Sequence, residues 1–594
     1  MASRIKLYIN TIKYLKPSQI LYRIKNKVHR ELYKKDLFKI KVPDKVPVNE
    51  NHNYLLRELE FNEEYLAKFN PEEILENNFE FISISHEVDL STAWNDPKLQ
   101  HLWRYNLHYF EYLYPLAQRH IEEYDNDMYY QKCRYFIDNW INHNPVAYGD
   151  GWHSYTISLR LTNWIAVYEI FKNEMKKDPD FHNKFIDSLY KQYQYLQSIL
   201  EKDVLGNHYF ENIKALLIAS IFFEDSKVRE KFKKELLKQL KEQILEDGMH
   251  FELSPMYHKI ILEDLIKITY WLKEDSIYEQ LRPTIKKMID VTFSLEDGFG
   301  KTPAFNDSTD GISKDYKSLL AVSEKNFSLT PEKKYKLETS GFYITENGDN
   351  KRIFDTGDVS PTYLPAHAHC DALSFELSVK SLPMIVNSGT YRYENGKWRD
   401  YFRSTKAHNT VTVDNQEQSQ FWGSFRVAKR IKKLKRNIFN YNGIQYEAGQ
   451  YVSYQGVKHK RFIGNIDEHT FIVLDEIKAK TKADINSFIH FIPEVNFEIN
   501  NSTMKVTSED QLVYLTGINT NKVEVNLGWY SKQFNVKEEN KHIRLTKSKN
   551  KNLFGYLIEV DSNRHEIIPI KNGLKVINKD KEYTINYKKL GVML

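Results

Sequence analysis

The hydrophobic periodicity of this 594-residue chain changes once, near residue 335. Before that point apolar residues recur at three- and four-residue spacing through runs 101–120, 128–143, 154–171, 185–200, 208–223, 228–245, 256–272 and 278–293. That spacing is the signature of amphipathic helices, and breaks such as NPVAYGDG are short enough for helical hairpins. After it, runs such as SFELSV, NTVTVD, HTFIVLDEI, SFIHFI and LVYLTG alternate apolar with polar residues and are rich in Val, Ile, Phe and Thr. These are strands separated by turn residues. The pattern predicts a mixed segment over 1–90, a helical domain over 91–335 and a β domain over 336–594. No Gly/Ser-rich or Pro-rich linker separates the two domains, so they are expected to pack closely.

Composition narrows the function classes. Lys and Arg total 85 against 80 Asp and Glu, a net charge of +5, which argues against a general polyanion coat and makes nucleic-acid binding a poor fit. The run AKRIKKLKRN (428–437) reads as a solvated strand or hairpin. Aromatic residues make up 14% of the chain, which demands bulky cores, a ring-stacking cleft, or both. Two distant cysteines, Cys133 and Cys370, make no disulfide framework and no CxxC motif. No run of about 18 apolar residues is present, so no membrane span is expected. The N-terminus is basic and amphipathic without a signal-peptide core; as written the chain reads as cytoplasmic, or as secreted or periplasmic if a leader was removed. GxxxxGK[ST], GxGxxG after a strand and GxSxG are missing from the sequence, and no organic cofactor is expected.

Four segments concentrate chemistry. In PAHAHCDALSF (365–375), His367, His369 and Asp371 alternate and would share one face of a strand. Clustered polar groups entering a core must pair with one another or bind something. With His408 downstream, the HxH pair makes either a zinc-type donor set or a hydrogen-bonded cluster. GNHYFENIKALL (206–217) places Asn207, His208 and Glu211 within one helical turn. HFELSPMYHKII (250–261) puts Tyr257 and His258 at a helix start after Ser-Pro. In GDGWHSYTISLRLTNW (149–164), Trp152, Tyr155 and Arg160 either line a sugar-binding groove or pack in the core.

Taken together, LWRYNLHYFEYL, GDGWHSYTISLRLTNW, GNHYFENIKALL, DGMHFELSPMYH, HAHCDALSFEL, NSGTYRY and FRSTKAHNTVTVD resemble, in order, segments of the heparinase II/III-like polysaccharide lyases. The resemblance implies an incomplete (α/α) toroid of helical hairpins followed by an antiparallel β-sandwich, with residues 1–90 as an N-terminal extension. It implies β-elimination at a uronic acid of an acidic polysaccharide or oligosaccharide. That chemistry needs a neutralised carboxylate, a base for the C5 proton and an acid for the leaving oxygen. By the resemblance, Asn207 and His208 bind the carboxylate, Tyr257 is the acid and also a candidate base, and His367 is a base or part of the carboxylate clamp. Glu211 is expected to orient His208. Trp152, Tyr155, Arg160 and His258 are expected to contact substrate, Arg160 on the strength of its own position alone. The family's structural zinc implies His369, Asn387 and His408 as ligands, with Asn387 a neutral donor where a carboxylate is usual.

Two other readings compete. A glycoside hydrolase would need a carboxylate pair, for which Glu211 and Glu252 are the available residues. A non-catalytic polysaccharide-binding or exopolysaccharide-assembly protein would need no acid or base at all.

Overall fold

The computed structural model describes residues 2–594 apart from 124–126, 297, 300, 480–482, 501, 549–552, 563 and 580. The helical half is an incomplete (α/α) toroid. Its main helices include His101–Tyr109, Asp127–His143, Ser154–Lys176, Pro179–Ser198, Gly206–Phe222, Ser226–Gln243, Pro255–Trp271 and Tyr278–Glu296. Their starts are set locally: Asp178, Asp225 and Ser254 each accept a backbone N–H of the first turn, and Pro179 and Pro255 occupy first positions. The apolar faces merge into one core containing Trp103, Phe136, Trp140, Trp164 and Phe210. The short hairpin Asn78–Phe81/Ile84–Glu87 adds Phe79 and Phe81 to it, with Phe81 set 4.9 Å edge-on to Trp103. The later part of the N-terminal segment is therefore built into the toroid.

The β half is antiparallel throughout its named strand pairs. It contains a five-stranded sheet within 336–385, an eight-stranded sheet edged by Lys432–Tyr441, and a four-stranded sheet. Phe375, Ile463, Val473, Ile489 and Ile543 join these sheets in a common core. A further cluster crosses between the halves, with Met249, Leu253 and Leu295 of the helical part against Phe342 and Ile353 of the first sheet.

One local expectation fails. HAHCD is loop and turn, not strand. The segment is anchored instead by 305–310: Asp307 N–H donates to His367 O (2.9 Å), His369 N–H to Asn306 Oδ1 (3.0 Å), and Asn306 N–H to Asp371 Oδ2 (2.8 Å). These bonds satisfy the backbone without a ladder, and His367 and His369 still face the same carboxylate.

Candidate active site

The site lies where two helix starts of the toroid meet loops of the β domain. Asn207 is the second residue of Gly206–Phe222 and is almost fully buried. Its Nδ2 donates to Glu252 Oε2 (3.0 Å), its backbone N–H to Glu252 Oε1 (3.2 Å), and Nδ2 lies 3.4 Å from His367 Nε2. Gly206 makes this approach possible: it sits at φ +57°, and a Cβ there would lie 2.2 Å from Glu252 Oε1.

His367 Nδ1 lies 3.1 Å from Asp307 Oδ2. Arg399 grips the same carboxylate with both guanidinium nitrogens, Nη2 at 2.8 Å from Oδ2. Burial would raise the Asp307 pKa, but Arg399 and the two histidines hold it well below the usual carboxylate range. An ionised Asp307 fixes the His367 proton on Nδ1, leaving the Nε2 lone pair turned to Asn207 and the cleft. The Tyr257 ring lies against that imidazole, tilted by 35°, with centroids 3.9 Å apart. Its hydroxyl is 3.1 Å from that of Tyr393, and burial pushes its pKa up, so the phenol stays protonated.

His208, one residue beyond Asn207, is half-exposed. Its Nδ1 is 2.9 Å from Glu201 Oε1, and its ring lies 4.5 Å from that of Tyr155. Burial opposes charge on this ring, but the Glu201 carboxylate outweighs it and raises the pKa. The His367 imidazole, the Tyr257 phenol and the His208 ring, whose charged form Glu201 favours, thus gather beside two helix N-termini, whose dipoles favour an anion.

Residues 52–335 match the family model described as heparinase II/III N-terminus, and 330–576 match the heparinase II/III-like C-terminal model. The chain belongs to the heparinase II/III-like family. It is similar to the heparin-sulfate lyase of Pedobacter heparinus, at 25% identity over 403 residues covering 62% of this chain and 58% of that protein. It is also similar to the heparin-sulfate lyase of Bacteroides thetaiotaomicron, at 23% over 458 residues covering 68% and 63%. The matched region thus spans less than two thirds of these curated relatives' length. Among solved structures, a heparinase III aligns with TM-score 0.73 at 16% identity over 96% of this chain and all of that one. The heparan sulfate lyase of P. heparinus aligns with TM-score 0.59 at 18% identity over 95% and 94%. At such identities these likenesses establish the fold.

Within this heparinase II/III-like frame, Asn207, His208, Tyr257, His367 and Tyr155 come together. Four other expectations are corrected. Arg160 is fully buried and spends its guanidinium on Gln192 Oε1 (2.8 Å), Gly151 O (2.7 Å) and His108 O (3.2 Å), stacked on Trp140; it binds the toroid, not substrate. Trp152 is buried, with its indole N–H on Asn144 O (2.8 Å), and packs against Tyr195. His258 is buried: Nδ1 accepts from His250 N–H and Nε2 faces Met288 O, and burial lowers its pKa to about 4. Glu211 is ion-paired to Lys214 (2.8 Å), so Glu201 takes the part of orienting His208. That commitment also removes Glu211 from any hydrolytic carboxylate pair with Glu252, which itself holds Asn207.

Several site residues escaped the sequence reading. Glu201, Asp307 and Arg399 lie outside any periodic or spacing signal. Tyr393 lies in NSGTYRY without a signal of its own, and Glu252 enters the sequence reading only as half of a hydrolytic pair, not as the anchor of Asn207.

The zinc ligands implied by the family are met halfway. His369 Nε2 bonds Asp307 Oδ1 (2.8 Å) and His408 Nδ1 bonds Ser404 O (2.8 Å), so the two remaining ring nitrogens face each other at 3.1 Å. Outer nitrogens fixed in this way are typical of metal-binding histidines. The third position does not fit: Asn387 Oδ1 accepts the Asn409 N–H (3.0 Å) and carries no charge. Among the described residues, no group of three or more His, Cys, Asp or Glu could hold a metal. The donor set falls one anionic ligand short of a structural zinc site.

Proposed function

We propose that this chain is a polysaccharide lyase that cleaves a uronate-containing polysaccharide or oligosaccharide by β-elimination. The observation that carries the reading is the convergence of Asn207, Tyr257 and His367 from three separate segments into hydrogen-bond and ring contact. The uronate carboxylate would lie against the Asn207 amide and protonated His208, which neutralises it and acidifies C5–H. His367 Nε2 takes that proton. The C5–H electron pair becomes the C4=C5 double bond as the C4–O4 bond breaks, and the departing oxygen takes the Tyr257 proton, with Tyr393 positioned to replace it. No water is consumed, and the products are a 4,5-unsaturated uronate end and a fragment with a restored hydroxyl. Burial keeps Tyr257 as the phenol at rest, so it starts the cycle able to give a proton but not to take one, which leaves His367 as the base. The proton His367 takes from C5 restores the phenol after product leaves.

The name heparin-sulfate lyase borne by the relatives puts heparan sulfate first among substrates to try. The test is a panel of uronate polysaccharides followed by near-ultraviolet absorbance and mass spectrometry of products. The expected result is an unsaturated product from at least one polymer, lost in Tyr257→Phe by about 100-fold or more while substrate binding is kept. New reducing ends without unsaturation would instead indicate hydrolysis. Binding without any product would indicate a polysaccharide-binding protein. Full activity in Tyr257→Phe would remove Tyr257 as the acid.

A further inference from the structure

The helices Ala2–Ile12 and Pro17–Lys34 lie ahead of the stretch matched by the family models, which begins at residue 52. Both present aliphatic side chains to solvent. Ile5, Ile9 and Ile12 are 49–60% exposed, and Leu21, Ile24 and Val28 are 49–63% exposed. At 3.6 residues per turn each trio falls within about 60° of arc, so each helix carries one continuous apolar stripe.

The surrounding charge is one-sided. Residues 2–41 hold 12 Lys and Arg against Glu31 and Asp36, a net +10, whereas the whole chain nets +5; the remainder is therefore net −5. The segment 422–430, which leads into the basic run of 428–437, lies beside the first helix and the turn after it. Arg430 stacks on Tyr14 at 4.1 Å, Trp422 Nε1 donates to Thr11 Oγ1 (3.0 Å), and Arg426 reaches over Trp422. Lys432, Lys433 and Lys435 continue the exposed charge along the outer strand of the eight-stranded sheet.

This is not a loose arm. Asn26 Nδ2 donates to Leu200 O (2.9 Å), and Arg30 donates to Ala147 O (3.0 Å) and Gly149 O (2.6 Å), fixing the second helix to the toroid with its stripe outward.

We propose that this face docks on the surface of an anionic lipid bilayer, the two stripes entering the headgroup region and the flanking cations pairing with lipid phosphates. The combination selects this occupant. An acidic glycan would pair with the cations but leave the Ile, Leu and Val side chains in water, whereas a charged interface accepts both. No described helix is long and apolar enough to cross a membrane, so the contact is peripheral.

The test is flotation of the full chain with vesicles of phosphatidylcholine alone or mixed with phosphatidylglycerol, at low and high salt. The expected result is binding to the mixed vesicles, weakened by salt, and little binding to phosphatidylcholine. The triple variant Leu21→Ser/Ile24→Ser/Val28→Ser should lower the partition coefficient more than about tenfold, with circular dichroism and melting temperature unchanged. Protein left unbound by the mixed vesicles at low salt overturns the proposal. So does a triple variant that binds as tightly as the wild type, which would make the contact electrostatic alone. Light scattering showing a wild-type dimer that the variant converts to monomer would assign the stripes to a second copy of the chain. Loss of heparin binding in the variant would assign them to glycan. Either of these outcomes also overturns it.

Discussion

At the scale of single residues, the site works by fixing where protons sit. His208 illustrates the sign of the effect. Its pKa is raised above the ordinary value of 6.5, so the ring is charged at and below that pH and loses its charge as pH climbs through the raised value. In the proposed role of His208 as carboxylate partner, that contact should therefore weaken on the alkaline side. We expect KM to rise with pH above 6.5, and His208→Gln to raise KM by about tenfold at low pH while flattening that rise, because a charge-assisted hydrogen bond is lost. An unchanged pH profile in His208→Gln would show that another group holds the carboxylate. Asn387 makes the complementary case of a missing charge. An Asp there would keep one oxygen for the Asn409 N–H and put the other where the amide now donates to Ser374 Oγ (3.3 Å), adding a negative charge next to the segment that carries His408. Metal analysis by plasma mass spectrometry should find at most traces of zinc in the wild type and about one zinc per chain in Asn387→Asp, as expected for a site given a third, anionic donor. Equal zinc in both proteins would mean that Asn387 does not control the site.

At the scale of elements, two helix starts and one anchored loop make the site, and these differ in how far they could be read. The helices follow from their apolar spacing and their Asp, Ser and Pro starts, which place Tyr257 at a helix start; its candidate role as acid comes from the family resemblance, not from that position. The HAH histidines are legible as a chemical cluster but their loop conformation is not, because the segment's backbone bonds go to Asn306 and Asp307 about 60 residues earlier. Arg160 and Trp152 were misread for a related reason: an Arg among aromatics on a helix looks the same whether it lines a groove or a core. Only Gln192, Gly151 and Trp140, brought in by other elements, decide between them. The start of Gly206–Phe222 gives the sharpest test. Gly206 occupies a left-handed φ of +57°, and a side chain there would meet both Glu252 Oε1 and Leu364 Cδ2. Gly206→Ala should cost about 1–3 kcal/mol of stability, from backbone strain and from Glu252 being forced away. Because Glu252 positions Asn207, turnover should fall as well, by about tenfold or more if the carboxylate contact is the one lost. Calorimetry and steady-state kinetics on the one variant check both; an Ala variant with native melting and native rate would mean that Glu252 yields without moving Asn207.

At the scale of the whole molecule, neither half alone supplies the proposed chemistry. Asn207, His208 and Tyr257 come from the toroid, while His367, Tyr393 and Arg399 come from the β half, and Asp307 in the connecting region ties His367 to Arg399. The change of periodicity near residue 335 marks a boundary of secondary structure, but it is not a boundary of packing. Met249, Leu253, Val291, Leu295 and Phe305 on one side form a single buried cluster with Phe342, Ile344 and Ile353 on the other. Domains that share a core of this kind lose their independence, because opening one exposes the apolar surface of the other. We therefore expect a single calorimetric transition for the full chain. Phe342→Ala, which empties a fully buried ring site at the junction, should cost about 3–5 kcal/mol and move that transition as a whole. It should also slow turnover, since the loop bearing His367 is attached to the same sheet, although residue 342 touches none of the acid or base groups. Two resolved transitions, with only the β-domain one displaced by Phe342→Ala, would show that the halves fold separately and that the site is held together by its own ion pairs alone.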